Sequence, residues 1–310
     1  MSANHRVFVI CLLLPLGHAF AQQSEKDQLE KIQAGLVRAF SQSPPDRETV
    51  EGYVEQLGKD GRWADIDYED QNRVSFPVMQ TLGRAEAIAK AFRADDHPLK
   101  GDKRLSKAVN LVIRDWMKNR YSNPNWWFAS IGIPQSMGRI GILMKGDLEP
   151  EVFQYISAGV LGRTRPKGKG QNLVWISECV LYGGLLRGDL AVVELASRYI
   201  KSTIVVGGPS GIQHDWSYHL HGAQNQIGYG IAFATDTARY ADIFSGTICA
   251  FSDDQLDLLA GFQNEGLAWT IWRGYFDINC LGRVVSRPGA STNRDRLHDV
   301  AELMARADPS

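Results

Sequence analysis

The chain has 310 residues, enough for one large domain or two small ones. Lys and Arg number 34 and Asp and Glu 35, a net charge of -1 with His neutral. That balance excludes a wholesale nucleic-acid or membrane-surface role, so any grip on an anionic partner has to come from a local basic cluster.

Met1 to Ala21 reads as a secretory signal. It has a short basic start at His5 and Arg6, then a run from Val7 to Leu16 that is apolar apart from Cys11 and Pro15. Ala19-Phe20-Ala21 supplies a small-x-small cleavage site before polar Gln22. The run is shorter than the ~20 residues a membrane span needs. The expectation is a mature domain of residues 22–310, secreted or periplasmic, with no membrane association once the signal is cleaved. Cleavage would remove Arg6 and Cys11, taking the net charge from -1 to -2. Cys179, Cys249 and Cys280 remain, too scattered for a disulfide framework or a zinc site, and read as small buried residues.

The period along the chain is helical. Leu29, Ile32, Leu36, Val37 and Phe40 recur at three- and four-residue steps, as do Ala85, Ile88 and Phe92, and Leu105, Val109, Val112 and Trp116. Further helices are expected at about 150–161, 171–187, 189–203, 223–245, 253–273 and 293–306. Strand-like runs are few, and Ile204-Val205-Val206 is short, stopping at Gly207-Gly208-Pro209. Breakers at Ser43-Pro44-Pro45, Asn123-Pro124, Gly146-Asp147, Gly162 to Gly170 and Gly207 to Gly211 separate the segments. The fold class is therefore all-α, with helical hairpins stacked into an incomplete (α/α) toroid that leaves a cleft at one end.

Four regions carry candidate chemistry. In Asn125-Trp126-Trp127-Phe128 the adjacent indoles of a helix point to different faces, which suits either a sugar-stacking platform or ordinary burial of both rings. Arg163 to Asn172 holds four cations, Arg163, Arg165, Lys167 and Lys169, in a Gly/Pro-rich loop able to hold a polyanion or simply to be solvated. Asn172 at its end would donate its amide to a carboxylate or cap a helix. His214 to Gly230 contains three of the chain's seven histidines, His214, His219 and His221, with amides, glycines, Tyr218 and Tyr229. His219 and His221 do not share a helix face, and no zinc pattern surrounds them, so an active-site wall is favoured over a metal centre. In Arg273 to Pro288, Arg283 and Arg287 would share a face if the segment were helical, forming a carboxylate clamp or a pair of structural salt bridges.

Together these regions resemble the N-terminal α/α-toroid domain of polysaccharide lyase family 8, whose members act on chondroitin, hyaluronan and xanthan. The matching pieces run in the family's order. They are Gly61-Arg62-Trp63-Ala64-Asp65-Ile66-Asp67-Tyr68, Asn125-Trp126-Trp127 with Ile131-Gly132-Ile133-Pro134, Gly170-Gln171-Asn172, His221-Gly222 with Tyr229-Gly230, and Arg273-Gly274 with Gly282 to Pro288. The resemblance implies β-elimination on a uronic-acid polysaccharide without a cofactor or metal. It implies that Tyr229 takes the C5 proton and returns a proton to the leaving oxygen. His221 is implied as the catalytic histidine and Asn172 as the holder of the carboxylate. Arg283 is implied beside Tyr229, with Arg287 a second arginine of the site, and Asn125, Trp126 and Trp127 as the sugar seat. A proton α to a carboxylate becomes removable once that carboxylate is neutralised. A tyrosine, which titrates near pH 10, becomes a base when a cation favours its phenolate.

The chain departs from the family in three ways. The eight-residue step from His221 to Tyr229 is one shorter than the family's, and a deletion in an active-site helix is expected to shift one group against the other, while pairing His219 gives ten. The chain reads as truncated after the Arg283–Arg287 motif, without the β-sandwich domains of relatives, which raises a separate β-sandwich chain as a partner besides the acidic polysaccharide. The loop from Arg163 to Gly170 lacks an aromatic that some relatives carry. Two other functions compete with lyase activity: a glycan-binding remnant without turnover, and a toroid glycoside hydrolase using two carboxylates, for which Asp215 and Asp277 are the available acids.

Overall fold

The computed structural model describes residues 14–224, 226–287, 289–292 and 295–307. The first thirteen residues of the expected signal lie outside that range, and the side chains of residues 14–23 are likewise outside it. In chain order the first helices are α1 (Leu14–Phe40), α2 (Arg47–Glu55), α3 (Met79–Arg93), α4 (Lys103–Asn119), α5 (Ile133–Leu143) and α6 (Pro150–Gln154). They are followed by α7 (Gly170–Arg187), α8 (Leu190–Lys201), α9 (Ile231–Phe244), α10 (Asp253–Gly261) and α11 (Asp295–Ala307). Among the described residues no helix is long and apolar enough to cross a membrane.

Helices α3, α5, α7 and α9 stand side by side in that order as an inner wall. The others back them: α2 and α4 on α3, α6 with its following turn on α5 and α7, α8 on α7, and α10 and α11 on α9. Composition explains the sorting. Fifteen of the 18 residues of α7 and 12 of the 14 of α9 are buried, against 4 of 12 in α8. Helices apolar on all sides go inside and amphipathic ones outside. Glycine lets the layers close up: a Cβ at Gly138 of α5 would enter the ring of Tyr182 on α7. Among the described residues no comparable seam joins α3 back to α9, so the toroid is open, and α1 packs on α5, α8 and α9.

The segment Gly61 to Tyr68 serves this scaffold. Trp63 is fully buried, with Nε1 donating to the Tyr53 carbonyl at 2.9 Å and its backbone N–H donating to Tyr68 Oη at 2.8 Å. Arg62 reaches Asp115 of α4 at 3.1 Å.

Some expected boundaries differ. The helix expected over 223–245 begins only at Ile231. Its first residues are instead the return strand of a small antiparallel sheet, β1 (Gly211–Ile212), β2 (Tyr218–Leu220) and β3 (Ala223–Gln224), followed by a π turn over Gln226–Gly230. The positive φ of His221 (59°) and Gly222 (75°) turns the chain back at that point. The helix expected over 253–273 leaves α geometry at Gly261, passes through π and 3-10 turns, and ends in the hairpin of β4 (Ile271–Trp272) and β5 (Tyr275–Phe276). Ile204 to Val206 forms no strand, only a bridge from Val206 to Ile212. Cys179 and Cys249 are buried and Cys280 is half-buried, all as free thiols.

Candidate active site

The first turns of α7 and the π turns that lead into α5 (Phe128–Gly132) and α9 (Gln226–Gly230) line one cleft. The cleft has two adjoining halves. One, of about 400 Å³, is bounded by Asn125, Trp126, Trp127, Trp175, His221, Tyr229 and Arg287. The other, of about 560 Å³, is bounded by Trp126, Lys167, Lys169, Asn172 and His221. Trp126 and His221 belong to both halves and mark where they meet.

Each side chain has a local reason for its place. Gly170 opens α7 at φ +50°, and a Cβ there would lie 2.9 Å from Tyr218 Oη. That hydroxyl accepts the Gln171 backbone N–H at 2.8 Å, which fixes the first turn of α7 and therefore Asn172. The N-cap of α7 is Lys169, so Asn172 is not a cap. It is buried on the cleft wall with Oδ1 unpartnered. His221 sits at the tip of the β2–β3 turn in the left-handed region, where a histidine is tolerated better than most residues. Of the three clustered histidines only His221 lines the cleft, while the ring of His214 packs over Gly207.

Tyr229 is buried in the π turn ahead of α9, a form of helix frequent at functional sites. Its ring lies 5.7 Å from Trp175 and 5.5 Å, edge to face, from His221. Gln226 locks turn and sheet together, its Oε1 accepting the Tyr218 N–H at 2.5 Å. The two indoles of the Trp pair part company: Trp126 is 51% exposed, whereas Trp127 is half-buried, edge-on to Phe128 and Trp175. Asn125 borders the cleft, its Nδ2 donating to the Arg73 carbonyl at 2.9 Å and its Oδ1 accepting the Trp127 N–H at 3.1 Å. It orients the Trp pair.

The segment carrying Arg283 and Arg287 is not an α-helix. Gly282–Val284 is a 3-10 turn packed on the Tyr229 turn, and φ +55° at Gly282 breaks any α continuation. Arg287 reaches the cleft by this route, and the side chain of Arg283 lies outside the described residues. Asp215 accepts from the Ser217 N–H and hydroxyl, and Asp277 accepts the Asn279 N–H. Neither borders the cleft.

Beneath the cleft lies a buried polar group that the sequence reading did not single out. Asp236 of α9 accepts from Gln171 Nε2 at 2.6 Å and Trp175 Nε1 at 2.9 Å, and pairs with Arg239 at 2.8 Å. Glu178 of α7 accepts from Gln135 at 2.5 Å and faces Arg239 at 4.0 Å. Burial, followed by the charge of Asp236, pushes the Glu178 carboxyl up to about 8, against the pull of Arg239 and Arg139. Trp175 links this layer to the cleft, since its indole is anchored below and its face meets Tyr229 above. The available signal was a Trp three residues after Asn172, hence on its face, and lone acids inside otherwise apolar helices.

Residues 46–309 match polysaccharide lyase family 8, N-terminal alpha-helical domain. The chain belongs to this family. It is similar to chondroitinase-AC of Pedobacter heparinus, at 29% identity over 244 residues, which is 77% of this chain and 35% of that protein. Among solved structures, a chondroitinase AC lyase studied in oligosaccharide complexes superposes with a TM-score of 0.77 at 24% identity, over 93% of this chain and 45% of that one. A Paenibacillus xanthan lyase gives 0.72 at 21% identity, over 89% and 27%. The chondroitin AC lyase of Streptomyces coelicolor A3 in complex with chondroitin sulphate gives 0.72 at 16% identity, over 93% and 42%. At these identities the superpositions establish the α/α-toroid fold. This family 8 chain spans about a third of the curated relative and under half of each of these solved structures.

Proposed function

We propose that this chain cleaves a uronic-acid polysaccharide of the chondroitin, hyaluronan or xanthan kind by β-elimination. The observation that carries this reading is the make-up of the cleft wall. It joins a buried tyrosine, an imidazole, an amide and the cations Arg287, Lys167 and Lys169, and among the described residues it holds no Asp or Glu. A two-carboxylate hydrolase requires a pair of acids across the bond it cuts, and a cleft with this lining favours an acidic substrate instead.

The mechanism follows from the two halves. A uronate seated where they meet has its carboxylate between Asn172 and His221, whose N–H groups neutralise it. That neutralisation lowers the cost of the second negative charge that develops as C5 loses its proton. Tyr229, beside His221, takes the C5 proton. The electron pair forms the C4–C5 double bond, the C4–O bond breaks, and Tyr229 returns a proton to the leaving oxygen. Trp126 seats the neighbouring sugar ring by stacking, and Arg287 holds charge on the Tyr229 side. The Met1–Ala21 segment supports export.

The test is to incubate the purified chain with chondroitin sulfate, hyaluronan and xanthan and to follow the ultraviolet absorbance of the conjugated C4–C5 double bond. Absorbance should rise with at least one glycan and vanish in Tyr229→Phe. A folded chain that binds a glycan without forming unsaturated product overturns turnover and leaves the binding remnant.

A further inference from the structure

The cleft does not end at Asn172. Its outer half shares Lys167 and Ile176 with a third depression of about 410 Å³ that runs past Pro134 and Arg165. That depression in turn shares Ile133, Gly159, Val160 and Arg163 with a fourth of about 360 Å³, closed by Trp116, Arg120, Tyr121 and Tyr155. The four segments form one trough from Tyr229 to the C-terminal end of α4. Among the described residues, no Asp or Glu borders any part of it.

Among the described residues, the cations at the far end are not neutralised, unlike several arginines elsewhere in the chain. Arg62, Arg84, Arg93, Arg104, Arg114, Arg139 and Arg239 each meet a carboxylate within 4.0 Å. Among the described residues no carboxylate pairs with Arg120, Arg163, Lys167 or Lys169. Arg120 caps α4 in the left-handed region at φ +50°, held by its N–H to the Trp116 carbonyl at 2.9 Å, an unusual conformation for an arginine. Arg163 ends the 3-10 turn on the opposite side. Tyr155 lies close enough to feel both: burial pushes its hydroxyl up, and Arg120 and Arg163 act in the other direction. Two unpaired guanidinium groups flanking a half-buried tyrosine suit an anion carried on a ring that can stack or hydrogen-bond.

We infer that Arg120, Arg163 and Tyr155 form a remote anion subsite for the same glycan chain, holding a sulfate or carboxylate on a sugar several units from the bond at Tyr229. The inference rests on the lyase reading for the identity of the chain, and Lys167 and Lys169 carry the intervening charge. The subsite adds affinity for long chains without touching the reacting sugar.

The experiment compares Arg120→Asn/Arg163→Gln with the parent, both in the Tyr229→Phe background so that ligand persists. Asparagine tolerates the left-handed backbone at residue 120. Calorimetry measures binding of size-fractionated chondroitin sulfate, desulfated chondroitin and hyaluronan, as tetrasaccharides and as long oligosaccharides. The expected result is roughly tenfold weaker binding of long chains, as loss of charge-assisted bonds implies, with tetrasaccharide binding unchanged. Loss limited to the sulfated chain assigns a sulfate, and equal loss on all three assigns the carboxylate. Equal effects on short and long chains, no effect on either, or no binding of long chains by the parent overturns the subsite. If the double variant melts below the parent, Arg163→Gln alone, at an exposed position, decides on the same criterion. Absorbance from the protein with Tyr229 intact separates the two claims. No unsaturated product with a length-dependent loss of binding refutes elimination and keeps the subsite, whereas product without that loss does the reverse.

Discussion

Glu178→Gln separates the charge of the buried carboxyl from its shape. In the folded chain burial and Asp236 hold this carboxyl near 8, whereas its ordinary value is 4.5. The fold therefore keeps a proton that the unfolded chain releases between about 4.5 and about 8. The sign follows: the group's contribution to stability is full below 4.5, declines as pH rises, and is gone once pH passes about 8. The displacement corresponds to about 5 kcal/mol across that window. Glutamine keeps an oxygen for Gln135 and cannot ionise, so it carries no such slope. Acid and alkaline effects of groups remote from Glu178 cancel in the difference between the two proteins, so what remains belongs to Glu178 and the Asp236 and Arg239 charges coupled to it. Thermal melts of parent and variant from pH 4.5 to 8.5 should show the variant gaining on the parent throughout, by about 10 °C in total at about 2 °C per kcal/mol for a domain of this size. Parallel profiles would refute the reasoning, because they would mean that Glu178 is equally ionised in the folded and unfolded chains.

Three other outcomes follow from the cleft and its floor. Asp236→Ala strands Arg239 in the interior and frees the Trp175 indole, and should cost about 3–5 kcal/mol in denaturant unfolding. Gly132→Ala puts a Cβ 2.7 Å from Trp127 Cζ3, so glycan affinity should fall several-fold by calorimetry while the melting temperature, helped by alanine's helix propensity, changes little. His221→Asn keeps a residue that accepts φ +59° but lacks the imidazole, so kcat should fall by about 10²-fold or more with the fold intact by circular dichroism.

How far the sequence led depends on the scale of the interaction. Of the inner-wall helices, α3, α7 and α9 were legible because their apolar residues recur at helical spacing, whereas α5 was not among the expected helices and the Trp126-Trp127 pair left burial of both rings open. Boundaries near 223 and 261 were not legible, because side-chain contacts from distant residues decide them: the Gln226 amide holding Tyr218, and Trp216 packed over Gly261 and Gly266. Asn172, His221 and Arg287 could be named one by one, yet nothing local places them on one wall. Trp175 and Asp236 escaped notice because their partners sit on separate helices, 61 residues apart in the chain.

The eight-residue step from His221 to Tyr229 is bridged by local turn and strand geometry rather than by one helix. On a continuous helix, two residues eight apart stand about two turns apart along the axis, so losing one residue would rotate one side chain against the other by about 100°. Here the intervening chain is not helical throughout. A two-residue turn with both φ positive swings His221 back over the sheet, and the π turn, wider than an α turn, carries Tyr229 toward it. The rings end 5.5 Å apart, with Gln226 bracing strand against turn. The pairing therefore depends on Gly222 and Gln226 rather than on helical register, and His219, a strand residue outside the cleft lining, does not replace His221.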